Sequence, residues 1–232
     1  MKRVLIKVSW EMLQWLDWSI FDVFAVEKLA KTLLRIQEKN IQIVVVVWGW
    51  NIRRSRDTLD MQLDETVSWF LWMTWTIMNA VVVSKTIQRL WWNSIVFSPI
   101  TQIPNWTHVY ESDLWRKALA EDNIVFCAGG LWVPFSTTDS AAIQRALELS
   151  CDTVIKATKV DGVYTKDPNK FSDATRYDEI TYDEALEKQL DIMDHHAFAL
   201  ARRYSMVLYI SHMDMLDLVG TNAMNWTRVY AK

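Results

Sequence analysis

The run Ile41-Gln42-Ile43-Val44-Val45-Val46-Val47 constrains this chain more than any other segment. Its β-branched residues are stiff at χ1 and suit a pleated surface. Only Gln42 is polar, so no face is left for water, which is the pattern of a strand buried on both sides of a parallel sheet. Parallel neighbours need long crossover connections, and helices usually supply them.

The rest of the chain fits that requirement. Residues 4–8 read as a first strand. Val26, Leu29, Ala30, Leu33 and Leu34 recur at helical spacing within residues 23–38. Further helices are expected at 66–90, 113–121, 138–149, 182–188 and 195–204. Further strands are expected at 95–98, 124–128, 153–157 and 207–210. Strands alternating with helices imply βαβ units, hence an α/β fold with a mainly parallel sheet covered on both faces. No repeat or long linker divides the chain, so residues 1–232 read as one domain with N-terminal and C-terminal lobes.

Composition narrows the function. The formal net charge is −3, so nucleic acid and anionic membrane are not expected partners. No stretch is expected to supply the roughly 20 apolar residues that span a bilayer. The N-terminal apolar run is broken by Lys7, so no signal peptide is expected. Cys127 and Cys151 are too few for a disulfide framework and lack metal-site spacing, which points to a cytoplasmic protein without a resident metal. Residues 177–187 are acidic and read as a solvated face. His195 and His196 are adjacent on a helix, point to different faces, and read as surface residues.

Four segments follow the ends of expected strands, where open α/β sheets bind ligands. In Lys7-Val8-Ser9-Trp10-Glu11, the lysine can neutralise charge on a transferred phosphoryl group; alone it equally fits a solvated surface lysine. In Trp48-Gly49-Trp50-Asn51-Ile52-Arg53-Arg54, an arginine past a strand-to-helix turn can grip phosphate, or be a surface residue. In Ala128-Gly129-Gly130-Leu131-Trp132-Val133-Pro134-Phe135-Ser136-Thr137-Thr138-Asp139, small and hydroxyl residues lead into a helix whose N–H groups suit an anion. Thr138 or Asp139 equally serves there as a cap. In Lys156-Ala157-Thr158-Lys159-Val160-Asp161-Gly162-Val163-Tyr164-Thr165-Lys166-Asp167-Pro168, the Asp-Gly and Asp-Pro steps also describe a plain loop.

Together, in this order and spacing, these segments resemble the uridylate kinase family of the amino-acid-kinase superfamily over nearly the whole chain. The family forms are Lys-Leu-Ser-Gly-Glu, Gly-Gly-Gly-Asn-Xaa-Phe-Arg-Gly, Ala-Gly-Gly-Thr-Gly-Asn-Pro-Phe-Phe-Thr-Thr-Asp and, most specifically, Lys-Ala-Thr-Lys-Val-Asp-Gly-Val-Tyr. Ile192-Met193-Asp194 followed by Ala197-Phe198-Ala199-Leu200 resembles another family signature.

The resemblance implies a three-layer αβα sandwich, the amino-acid-kinase fold, and transfer of the γ-phosphoryl group of ATP to UMP in pyrimidine nucleotide biosynthesis. It implies Lys7, Arg54, Asp139 and Asp194 as catalytic residues, with the two carboxylates organising Lys7 and the magnesium nucleotide. It places ATP against Lys7, Val8, Ser9, Trp10, Trp50, Arg54, Thr158, Tyr164 and Asp167. It places UMP against Gly49, Leu131, Trp132, Val133, Pro134, Phe135, Ser136, Thr137 and Thr138. Mg2+ is expected with ATP, and a homohexamer is the implied assembly. Transfer is expected to be in line, without a covalent enzyme intermediate.

The chain departs from the family in one systematic way. Trp10, Trp15, Trp18, Trp48, Trp50, Trp72, Trp132 and Trp226 fall where the family has glycine, and Trp91 is assigned to the same group. The chain has 5 Gly and 14 Trp; together they make about 8% of it, slightly above the usual glycine share of roughly 7%. UGA codons meaning glycine but translated as tryptophan account for this pattern. Literal tryptophans instead imply a non-catalytic nucleotide-binding relative. Trp69, Trp75 and Trp115 suit ordinary core aromatics, and Trp69 replaces a UMP-contacting Asp. Leu131, Val133 and Ser136 also differ from the family. A carboxylate or carbamate acceptor is the remaining enzyme alternative.

Overall fold

The computed structural model describes residues 1–9, 21–49, 64–100 and 102–232. Trp10, Trp15, Trp18, Trp50 and Arg54 lie outside the described residues. The elements run β1 (Arg3–Val8), α1 (Val23–Gln37), β2 (Gln42–Val47), α2 (Glu65–Arg89), β3 (Ser94–Ser98), β4 (His108–Val109) and α3 (Ser112–Ala120). They continue as β5 (Ile124–Cys127), α4 (Thr138–Glu148), β6 (Thr153–Thr158), β7 (Glu179–Thr181), α5 (Tyr182–Glu187), α6 (His195–Arg203), β8 (Val207–His212) and β9 (Thr227–Tyr230). A 3-10 helix, Met213–Leu218, follows β8.

Among the described residues, nine strands join one sheet in the order β4-β3-β5-β2-β1-β6-β8-β9-β7. Every described pairing in it is parallel except β8 with β9. Successive side chains along a strand point to opposite faces, and this divides the core. Val4, Ile6 and Val8 pack with Ile43, Val45 and Val47 beneath α1 and α2. Leu5, Val44 and Val46 pack on the other face with residues of α3, α4, α5 and α6. The result is the expected helix-sheet-helix sandwich. The β-branched run of residues 41–47 supplies β2, whose last five residues are buried.

Three features were not anticipated. β4, β7, β9 and the 3-10 helix are short and partly polar, so they carry little periodic signal. Within the acidic stretch, Ile180 and Tyr182 are core residues, and the Tyr182 hydroxyl donates to the Met206 carbonyl at 2.6 Å; residues 177–187 are therefore not simply a solvated face. Helix α2 is long and apolar enough, by length and composition alone, to cross a membrane, contrary to the expectation that no stretch is. Half of its most apolar window is buried in the sandwich. His195 and His196 are exposed at the start of α6, as expected.

Candidate active site

β1 lies at the sheet's switch point, with β2 on one side and β6 on the other. Chain connections diverge there, leaving a crevice beyond the carboxyl ends of the strands. Lys7 is the penultimate residue of β1 and faces the α4 layer. In the parallel register it stands directly beside Lys156 of β6. Two like charges in adjacent strand positions repel. The first turn of α4 supplies the counter-charge. One Asp139 carboxylate oxygen lies 3.1 Å from Lys7 Nζ, and the other accepts from Lys156 Nζ at 2.9 Å. Lys156 Nζ also donates to the Ile192 carbonyl at 2.7 Å.

The side chains of Lys7, Asp139 and Lys156 are only 3%, 13% and 18% exposed. Burial would raise the pKa of Asp139, but Lys7 and Lys156 outweigh it and hold the carboxyl below its ordinary value. Burial dominates at Lys7 and pulls its ammonium below the usual lysine range, with Asp139 opposing and Lys156 assisting. The cluster therefore holds two cations and one anion. Its two ammonium groups are partly desolvated and, with the Asp194 carboxylate also acting on Lys7, they still present donors that favour an anionic ligand.

Asp139 is placed by a chain of caps. The Thr137 hydroxyl accepts from the Asp139 and Ser140 backbone N–H groups and caps α4. It donates in turn to Asp194, which caps α6 through the Ala197 N–H at 2.9 Å. Ser140 Oγ donates to Asp194 at 3.1 Å and lies 3.0 Å from His196 Nδ1. Asp194 thus joins the starts of two helices. It lines neither cavity described next.

Two cavities meet at the cluster. One, of about 360 Å³, is lined by Lys7, Ser9, Thr137, Thr138, Asp139 and Lys156, with Trp48, Trp69 and Trp72 on its wall. The other, of about 560 Å³, is lined by Gly162, Tyr164 and Asp167 among others. Lys156 and Thr158 line both. Tyr164 donates its hydroxyl to Asp161 at 2.6 Å, and Asp161 binds Arg176 at 2.9 Å, which ties the loop after β6 to its return. A side chain at Gly162 would lie 2.5 Å from Thr227 Oγ1 and 2.6 Å from Arg176 Cδ, so this close loop packing requires glycine.

The sequence-derived residues are only partly assembled. Lys7, Ser9, Thr137, Thr138, Asp139, Thr158, Tyr164 and Asp167 line the two cavities. Val8 does not; its side chain is wholly buried on the face opposite Lys7. Gly49 is buried against α2. Leu131, Trp132, Val133, Pro134, Phe135 and Ser136 form the loop entering α4 but do not line the smaller cavity, and Val133 and Phe135 are exposed. Lys156 was overlooked as a site residue. The available signal was a lysine on the inward register of an otherwise apolar parallel strand.

A protonated Lys7 is the form that can stabilise an anion. Its burial in the empty site therefore predicts a basic limb in the kcat/KM profile, which titrates the free protein, below the usual lysine value of about 10.4. Lys7→Arg should move that limb upward; a limb unmoved by the substitution would assign the titration elsewhere.

The family model described as Amino acid kinase family matches residues 19–212. A uridylate kinase from Klebsiella pneumoniae is 35% identical over 216 residues, covering 92% of this chain and 88% of the relative. The crystal structure of UMP kinase from Ureaplasma parvum superposes with a TM-score of 0.91 at 28% identity, covering 99% of this chain and 98% of the other. The UMP kinase structure from Bacillus anthracis gives a TM-score of 0.93 at 26% identity, covering 99% and 96%.

Proposed function

The chain belongs to the amino acid kinase family, and we propose that it is a UMP kinase, moving the γ-phosphoryl group of Mg-ATP onto UMP to give UDP and ADP. The observation that carries the mechanism is the Lys7-Asp139-Lys156 cluster between two adjoining cavities. The larger cavity takes the ATP nucleoside against Thr158, Tyr164 and Asp167. The smaller takes the phosphates and the acceptor. Lys7 and Lys156 face the charge that spreads over the transferred group, and Asp139 keeps both ammonium groups oriented. Positioning and cationic stabilisation account for catalysis in such a transfer, without a covalent enzyme intermediate.

Magnesium enters with ATP. Both Asp139 oxygens face lysines and Asp194 is occupied by Thr137, Ser140 and the Ala197 N–H. This donor set fits a cation carried by nucleotide phosphates and water rather than one held by a protein cage. Thr137 and Thr138 are the residues of the proposed UMP segment nearest the transfer. Val67, Leu71 and Met78 leave apolar surface exposed along α2, which supports a homo-oligomer. The two cysteines are free and buried, and burial pushes the Cys151 thiol up to about 12, which agrees with a reducing cytoplasm.

The test is an acceptor panel with Mg-ATP, using protein isolated from its own cells. ADP formation is expected with UMP and not with carbamate, glutamate or acetylglutamate. Turnover on one of those acceptors without turnover on UMP would reassign the substrate.

A further inference from the structure

We infer that the polypeptide made in the cell carries glycine in place of Trp48, Trp72, Trp91 and Trp132, because its gene is read with UGA as a glycine codon. The existing glycines supply the first argument. All five sit where a side chain is obstructed or the backbone is left-handed. An added Cβ would lie 2.9 Å from the Trp72 carbonyl oxygen at Gly49, 2.6 Å from Pro99 at Gly129, 2.5 Å from Thr227 at Gly162 and 2.5 Å from Ile41 at Gly220; Gly130 has φ +61°. The chain thus has no glycine at an undemanding position, although a protein of this length ordinarily has about three times as many.

Trp91 occupies a glycine position by backbone geometry. It follows α2 with φ 65°, and its N–H donates to the Gln88 carbonyl while the Trp92 N–H reaches Ile87. This is the left-handed helix stop that glycine most often fills. For other L residues the conformation costs about 1–2 kcal/mol. The other helices end near left-handed Asn40, Asp122, Ser150, Gln189 and Ser205, all polar. Trp91 alone among these is aromatic, and at 96% exposure its ring recovers nothing by burial.

Trp132 adds a third left-handed residue to a tight turn, with φ 56° after Gly129 at 77° and Gly130 at 61°; its N–H closes the turn on the Gly129 carbonyl at 3.2 Å. Phe135 shares the conformation, so the backbone alone does not separate glycine from an aromatic residue in this loop. The neighbouring site does. The Trp48 ring lies 4.5 Å from Lys7 Nζ and covers the ammonium that a phosphate must approach. Trp72 lines the same cavity. The cavity base is cationic while its wall is indole. Glycine at Trp48 and Trp72 removes that conflict by clearing both indoles from the cavity.

Trp115 provides an internal control. It is fully buried and packs on Phe97, Tyr110 and the Arg145 guanidinium, which a glycine could not do. The test is peptide sequencing by mass spectrometry of the protein isolated from its own cells, alongside the codons of its gene. Glycine masses and UGA codons are expected at Trp48, Trp72, Trp91 and Trp132, with tryptophan and UGG at Trp115. Tryptophan masses at Trp48 or Trp132, or UGG codons there, overturn the inference. The readout is mass, so it is decided separately from which acceptor is phosphorylated.

Discussion

Lys7→Met is expected to lower kcat about 10²–10³-fold, the usual effect of removing one preorganised charge-stabilising donor. Lys7 is 3% exposed and fixed on a central strand, so little reorganisation is needed when charge develops before it. The same burial makes the ammonium unfavourable in the empty site. Asp139 retains Lys156 after the substitution, so a buried ammonium is removed without leaving its carboxylate unpaired. The melting temperature should therefore hold or rise while turnover collapses, the trade expected where a site is built for its ligand. Steady-state kinetics and thermal denaturation on the same preparation test this. A kcat within a few-fold of the parent would remove Lys7 from the reaction. A matching fall in melting temperature would make its role structural.

Asp139→Asn is expected to have the largest effect on stability, about 3–5 kcal/mol, because it leaves the two buried ammonium groups without their counter-charge. The parent carboxyl is held below its unfolded value by those same groups. Its contribution is thus present above about pH 3.9 and is lost as pH falls through the lower folded value. The variant should lack this part of the acid dependence. Mg-ATP places negative phosphates against the lysines and should raise the melting temperature more in Asp139→Asn than in the parent. Melting curves with and without nucleotide, at neutral and acid pH, give both readings. An unchanged melting temperature without ligand would show that Asp139 does not hold the lysines together.

The two substitutions probe a cluster only half legible in the sequence. Lys7 and Asp139 were identifiable because each closes or opens an element beside a recognisable motif. Lys156 looked like one member of a loop segment. Its role comes from parallel register, which sets it beside Lys7 although 149 positions separate them. Asp194 was identifiable as a site residue, but its action through Thr137 and Ser140 depends on two helix starts meeting. His196 is exposed as its sequence position implied, and only the meeting of two helices brings its Nδ1 to 3.0 Å from Ser140 Oγ.

Local chemistry determined a great deal by itself. A β-branched run with no polar face must be buried on both sides, and apolar residues at helical spacing must find a sheet to cover. Those demands specify the α/β class, the principal elements and the strand ends where anions bind. The short strands β4, β7 and β9 were decided by tertiary pairing, since two to four residues hold too little periodicity to declare themselves. Tertiary structure also decided which charges meet. Charge strength depends on burial and separation, and neither can be read from order along a chain. The same holds for the tryptophans. Composition marked them as unusual, but only the fold placed Trp48 over Lys7 and Trp91 in a left-handed helix stop.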